Sequence, residues 1–376
     1  MPGSDIWELG LRSKNLWELL AKNIENQGMD PLQELGWKKT DSVVSSRTPA
    51  RSLLIGGTLD EIKILEERVK QQSEAGLRAL FVSGTDLQIK EPSLEVGKDC
   101  GAAFLPDDCQ LDAHSTVSFL EKGNRCFVSQ GRYVEFYHDP IISLLRSDQN
   151  GEVDAVQTSK NVLYSRKAVV IATGAWSGFL MQNLLKDSDI AVNVTVKPRK
   201  GHLLVLENFH QIVVKHGLME FGYVDHQIAA PLTSSTSGMN NHEEGLTSIS
   251  MTATTDKMGN LVLGSSRQFT GFNTEVEKTI LNRIWDRAGV FFPALRELHL
   301  EDLLKHSKIR IGHRPYTPDG KPIIGPVPGL PRVFLATGHE GGGLCLALGT
   351  AEMVADMILG NTGKVECAPF LPRCYQ

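Results

Sequence analysis

The residues best suited to chemistry lie late in the chain. Phe334-Leu335-Ala336-Thr337-Gly338-His339-Glu340-Gly341-Gly342-Gly343-Leu344 runs an apolar stretch into four glycines within six residues. Glycine lets the backbone approach a ligand closely. A helix opening at that point would offer unpaired N–H groups and the positive end of its dipole. Such a turn suits a phosphate or an electron-rich ring edge; the plainer alternative is a bare strand-to-helix turn. A second segment is Gly312-His313-Arg314-Pro315-Tyr316, followed by the turn Thr317-Pro318-Asp319-Gly320. Arg314, held beside a rigid proline, can grip a carboxylate through two parallel hydrogen bonds; an ordinary ion-paired arginine is the alternative. A third is Val169-Val170-Ile171-Ala172-Thr173-Gly174, an apolar run ending in Thr173-Gly174, where a nucleotide could pack on bare backbone. His313 and His339 qualify for proton handling by position only, and no general base is nominated.

The surrounding pattern predicts the elements that hold these segments. Residues 6–24 carry apolar positions at helical spacing. Ser52 to Ile55 reads as a short strand, and Ile62, Leu65 and Val69 mark a helix over 59–73. Strands are expected at 134–138, 141–145, 162–164 and 168–172, the last buried on both faces. A turn at Asp148-Gln149-Asn150-Gly151 should join hairpin arms. Further strands fall between 192 and 263, interrupted by a polar loop at 234–245. Asn273-Thr274 offers an N-cap for a helix whose apolar face is Val276, Ile280, Leu281, Ile284 and Trp285. A strand at 333–336 and a helix at 343–359, stopped by Gly360-Asn361, complete the chain.

Composition narrows the function class. Lys and Arg total 39 against 44 Asp and Glu, a net charge of -5 over 376 residues, which gives no reason to expect a nucleic-acid partner. No continuous apolar run reaches the ~20 residues of a membrane helix, so no transmembrane segment is expected. The six cysteines are scattered without a CxxC pair, so neither a metal site nor a disulfide framework is expected. The N-terminus has neither a secretory nor a transit layout.

Five ordered motifs carry a family resemblance. They are Ala172-Thr173-Gly174-Ala175-Trp176, Lys197-Pro198-Arg199-Lys200-Gly201-His202, Gly264-Ser265-Ser266-Arg267, Gly312-His313-Arg314-Pro315 and Ala336-Thr337-Gly338-His339. In this order the chain resembles the D-amino-acid oxidase superfamily of FAD-dependent oxidoreductases, near the glycine and sarcosine oxidases and the opine and hydroxyproline dehydrogenases. The resemblance implies an α/β (α+β) fold, with a Rossmann-like FAD/NAD(P)-binding domain and an antiparallel-sheet substrate domain. The first would comprise 1–50, 100–190 and 305–376; the second, 51–99 and 191–304. It implies noncovalent FAD and oxidation of the C–N bond of a small amine or amino acid by hydride transfer to flavin, with an electron-accepting partner where oxygen does not serve. Thr173, Gly174, Ile141, Gly338, His339, Gly341, Gly342, Gly343 and Leu344 would line the cofactor, and Arg314 would hold the substrate carboxylate.

One feature departs from that family. Its members open with a strand, a G-x-G-x-x-G turn and a helix. The nearest stretch here, Ile55-Gly56-Gly57-Thr58-Leu59-Asp60-Glu61, lacks the third glycine and carries acids where a pyrophosphate would sit. It reads as an ordinary strand–turn–helix. The expectation is therefore an N-terminally truncated form, with a non-catalytic form or binding subunit unable to hold FAD as the alternative. A nicotinamide-dependent dehydrogenase is a third and weaker reading. The cytoplasm is the default compartment, with plastid or mitochondrion as alternatives if a targeting peptide is missing.

Overall fold

The computed structural model describes residues 2–38, 51–97, 99–147, 149–186, 188–223 and 247–373. In chain order the elements are α1 (Asp5–Asn26), α2 (Pro31–Leu35), β1 (Ser52–Gly56), α3 (Leu59–Glu74), β2 (Leu80–Ser83), α4 (Gly84–Lys90), β3 (Gly101–Leu105) and α5 (Ala113–Arg125). There follow β4 (Ile141–Arg146), β5 (Val153–Thr158), β6 (Val162–Tyr164), β7 (Val169–Ile171), α6 (Ser177–Leu185), β8 (Lys197–Leu206), β9 (Gly217–Glu220), β10 (Ser248–Thr255) and β11 (Leu261–Arg267). The last are α7 (Lys278–Phe291), α8 (Pro293–Arg296), α9 (Leu300–Leu303), β12 (Ser307–Tyr316), β13 (Ile323–Pro326), β14 (Val333–Thr337) and α10 (Gly343–Leu359). The class is mixed α/β, as expected.

The chain divides into two compact units. Unit one comprises Met1–Ser4, Ala21–Phe119 and Lys200–His313; unit two comprises Asp5–Leu20, Leu120–Arg199 and Arg314–Gln376. Of the stretches expected in the cofactor-binding part, 21–38, 100–119 and 305–313 fall in unit one, and 191–199, expected in the substrate part, fall in unit two.

Unit one is built on a sheet in the order β12-β8-β11-β10-β9-β1-β3-β2. Its pairs are antiparallel at β8–β11, β11–β10, β10–β9, β1–β3 and β3–β2, and parallel only at β1–β9 among those resolved in register. The helix α7 lies on β10 and β11 and buries Ile280, Leu281, Ile284 and Trp285 among Leu53, Leu218, Met251 and Leu263. The stretch 55–61 is a strand–turn–helix, as read from sequence. Thr58 accepts from the Glu61 N–H at 3.3 Å, while the Glu61 carboxylate accepts from the Thr58 N–H at 3.1 Å and the Gly57 N–H at 2.7 Å. That reciprocal cap satisfies the helix start with the chain's own acid.

Three expectations need correction here. The helix expected from the cap Asn273-Thr274 begins instead at Lys278, after Glu277 and without a side-chain cap, and Val276 is exposed. The Asn273 side chain is occupied elsewhere: its Oδ1 accepts from the Glu275 N–H and from Lys200 Nζ. The strand expected at 134–138 is irregular, with Val134, Phe136 and Tyr137 exposed, because among the described residues no core covers that apolar run. The strand at 168–172 shortens to β7 and is not buried on both faces. It is an edge strand, and Val170 is 43% exposed. The loop at 234–245 and Asp148 lie outside the described residues.

Unit two contains two small sheets, β13-β14-β7 and β4-β5-β6. β14 runs parallel to β7, with Val333 opposite Val169 and Leu335 opposite Ile171, and antiparallel to β13. The antiparallel ribbon β4–β5–β6 contains the turn read at 149–151. The helix α10 packs on β13 and β14. Its Leu346, Met353 and Val354 join Ile324, Phe370 and Leu9 of α1 in a buried cluster. Contact between α1 and α10 is close because Gly349 has no side chain: a Cβ there would lie 3.0 Å from both Leu9 Cδ1 and Ser13 Cβ. Arg12 fixes the register, donating from Nε and Nη2 to the Glu352 carboxylate, each at 2.6 Å. The segment Glu340–Leu359 is, by length and composition alone, apolar enough to cross a membrane, although charged residues interrupt its apolar run. In this fold its buried side is spent on the cluster just described. Among the described residues no group of His, Cys, Asp or Glu could hold a metal, and Cys100, Cys109, Cys126, Cys345 and Cys367 are free thiols.

Candidate functional site

The parallel register of β7 and β14 brings their carboxyl ends together, the place where open α/β sheets bind ligands. The two ends are tied: Thr337 Oγ1 donates to the Gly174 carbonyl at 2.9 Å. Gly174 has a φ of +54 and Gly338 a φ of +79, left-handed values that favour glycine. Thr173 Oγ1 lies 3.1 Å from Ser177 Oγ, holding the start of α6. After Gly338 the chain makes one tight turn, Glu340–Gly342, and enters α10 at Gly343. Gly342 donates back to the His339 carbonyl at 2.8 Å. The first N–H groups of α10 have no intrahelical acceptor, so the turn presents donors and a positive dipole end.

His339 is partly buried and pairs through Nε2 with Thr350 Oγ1 at 2.9 Å, one helical stretch further on. Burial pushes its pKa down from 6.5 to about 4, so the ring is neutral at physiological pH. A cleft of about 460 Å³ opens beside it, lined by Val170, Ala172, Ala336, Gly343, Ala347 and Ala351 among others. These side chains are small and apolar, so a flat hydrophobic surface can come close to the backbone.

A cluster of charge stands at the same turn. Arg199, near the start of β8, donates from Nη1 to Glu340 Oε1 at 3.2 Å, and each side chain is only 9% exposed. The Arg199 guanidinium lies 5.2 Å from the Tyr316 ring centroid, a cation–π distance. Burial lowers the Arg199 pKa; Arg314 pushes the same way by like-charge repulsion, while Glu340 and Tyr316 oppose it. Arg314 is half-buried on β12, the strand next to β8 in the sheet. Glu340 itself has a φ of +45, a left-handed value that a residue with a side chain rarely adopts.

The residues nominated from sequence thus fall as follows. Thr173, Gly174, Gly338, His339, Gly341, Gly342, Gly343, Leu344 and Arg314 all belong to unit two. The Leu344 carbonyl is taken by Trp17 Nε1 at 3.1 Å, so this residue anchors the helix start to α1. Ile141 heads β4 opposite Thr158, in the ribbon rather than in the sheet that carries the others. His313 belongs to unit one, where its Nε2 pairs with the Asn273 carbonyl at 3.0 Å. Sequence reasoning quoted Arg199, Tyr316 and Glu340 inside motifs but gave them no role. The available signal was an acid interrupting a glycine run, which a turn has no conformational use for.

Comparison with known proteins gives the family and the fold. Residues 1–357 match the family described as FAD dependent oxidoreductase. The chain is 27% identical over 267 residues to glycine oxidase of Bacillus licheniformis, a match covering 71% of this chain and 59% of that protein. It is 25% identical over 279 residues to D-amino acid dehydrogenase of Bradyrhizobium diazoefficiens, covering 73% and 55%. The chain therefore spans under two thirds of the length of the curated relatives it matches. Among solved structures, glycine oxidase of Bacillus cereus superposes with a TM-score of 0.73 at 20% identity, over 100% of this chain and 86% of that one. L-proline dehydrogenase from P. horikoshii superposes with a TM-score of 0.73 at 18% identity, over 99% and 83%. These likenesses share the fold, and the family match runs through nearly the whole sequence: the chain belongs to the FAD dependent oxidoreductase family.

Proposed function

We propose that this protein holds FAD and oxidises the C–N bond of a small amino acid or amine. The observation that carries the reading is the meeting, within one compact unit, of an arginine-bearing strand end with a glycine-bare helix start. The residues present suit the flavin end of the cofactor. The Gly341 and Gly342 N–H groups serve the Glu340 carboxylate and the His339 carbonyl, so what the start of α10 at Gly343–Leu344 offers an electron-rich ring edge is its positive dipole end, and the alanine-lined cleft accepts a flat apolar face. When bound, the flavin supplies the hydride acceptor for the carbon that carries nitrogen.

The protein's own share is binding and orientation. Arg314 holds the substrate carboxylate by charge-assisted hydrogen bonds, which fixes the α-carbon in space. The positive end of α10 favours negative charge developing next to it. His339, neutral and hydrogen-bonded to Thr350, adds no competing positive charge to that end. Small apolar side chains line the open cleft on this side of the turn and would be covered by a flat apolar ring seated there. Names such as glycine oxidase and D-amino acid dehydrogenase among the relatives support a small amino acid as substrate.

The test is a visible spectrum of the purified protein after incubation with FAD, followed by turnover with glycine, D-alanine and L-proline, in air and with an artificial electron acceptor. Bound flavin and turnover are expected. Arg314→Met should raise KM about 10- to 100-fold, the worth of a charge-assisted pair, and leave flavin content unchanged. Failure to take up FAD, or an unaltered KM in the variant, would overturn the reading.

A further inference from the structure

The ion pair between Arg199 and Glu340 stands beside Arg314, and the proposed function leaves it without a task. Arg199, Arg314 and Glu340 together carry one net positive charge. Glu340 occupies the one position in the Gly338–Gly343 turn, apart from His339, that bears a side chain, and holds it at a left-handed φ of +45. One oxygen of its carboxylate accepts from Arg199 at 3.2 Å and the other from the Gly341 N–H, and the Arg199 and Glu340 side chains are both nine-tenths buried. A buried guanidinium needs an anion beside it, because uncompensated charge is expensive away from water. Glu340 supplies that anion permanently.

We infer that Glu340 is a specificity-determining residue: by occupying Arg199 it restricts the site to substrates with one carboxylate. This rests on the reading of Arg314 as the carboxylate holder. Arg314 takes the α-carboxylate of an amino acid. A second carboxylate, as in an aspartate-like or iminodiacetate-like molecule, would have to share Arg199 with a buried glutamate and meets like charge there. With the glutamate's charge removed, Arg199 becomes the natural seat for that second carboxylate. Glu340 acts through Arg199 and touches no reacting atom.

The experiment is calorimetric titration of the full chain with acetate, carrying one carboxylate, and malonate, carrying two, with folding checked by circular dichroism. The parent protein is expected to bind acetate at least as tightly as malonate. In Glu340→Gln the malonate-to-acetate affinity ratio should rise about tenfold, the effect of one desolvated charge pair. Glu340→Gly removes the same charge and relieves the left-handed backbone, so it carries the same expectation if the glutamine variant does not fold. Adding Arg199→Met to either should abolish the gain, and Glu340→Asp should preserve the parental ratio. A folded charge-removing variant with an unaltered ratio, or a gain that survives Arg199→Met, overturns the inference while leaving Arg314's role intact. If the parent binds neither acid, the carboxylate site itself is refuted.

Discussion

Gly338→Ala separates two physical demands at the turn between β14 and α10. The glycine has a φ of +79, and a Cβ built there would lie 2.7 Å from Thr317 Cγ2, 3.3 Å from the Ile323 nitrogen and 3.4 Å from the Lys321 carbonyl oxygen. The left-handed backbone costs alanine about 1–2 kcal/mol. Forcing a methyl into a packed space costs about 1–3 kcal/mol more. Loss of about 2–5 kcal/mol is therefore expected, a large share of a typical domain's stability. Thr317→Ser removes the clashing methyl but keeps the hydroxyl, which donates to the Lys321 carbonyl at 2.8 Å. Alone it should cost about 1 kcal/mol for the lost buried methyl. In the Gly338→Ala background it should instead recover about 1 kcal/mol or more, since only the backbone cost and the two peptide neighbours remain. Denaturant unfolding followed by far-ultraviolet circular dichroism, run on all four proteins, gives the coupling directly. Strict additivity, or a neutral Gly338→Ala, would refute the packing argument.

Two further outcomes follow from buried polar groups. The His339 pKa is lowered by burial from 6.5 to about 4, so the unfolded state binds its proton first as pH falls. Its contribution is constant above about pH 7.5 and is lost progressively between pH 6.5 and 4, by about 3 kcal/mol in all. Unfolding midpoints at pH 7.5 and 4.5 should converge between the parent and His339→Asn as pH drops; a constant gap would contradict the burial of the ring. Lys200, fully buried on β8, donates to Asn273 Oδ1 at 3.2 Å, the Glu275 carbonyl at 2.7 Å and Glu277 Oε1 at 2.9 Å. Lys200→Met should cost about 2–3 kcal/mol in chemical denaturation, since it removes three hydrogen bonds made by a buried cation, one of them to the Glu277 carboxylate; an unchanged midpoint would show that water replaces the lysine at these acceptors without loss.

Elements with strong periodicity were legible from sequence. The helices at 5–26, 59–74 and 343–359 and the strands at 52–56 and 333–337 follow directly from apolar spacing and caps, because their faces pack where the pattern says. The segment 134–138 misled because β-prone residues form a strand only where a partner strand and a core exist. The start of α7 misled for a different reason. Asn273 is a good capping residue, but its side chain accepts from Lys200 and from the Glu275 N–H, and the helix starts only at Lys278, with no side-chain cap. At the site, glycines and Arg314 announce themselves by type and by order along the chain. The pairing of Arg199 with Glu340 does not, since 141 residues separate the partners and no local rule links the start of one strand to a distant turn.

The hydrogen bond from Trp17 to the Leu344 carbonyl has a practical consequence. An indole that is 2% exposed sits against the opening residues of α10. Indole emission shifts with the polarity and order of its surroundings, and it transfers excitation readily to a nearby yellow chromophore. Trp17 is one of five tryptophans, so the part of the indole emission that Trp17→Phe removes is a label-free optical probe of the start of α10.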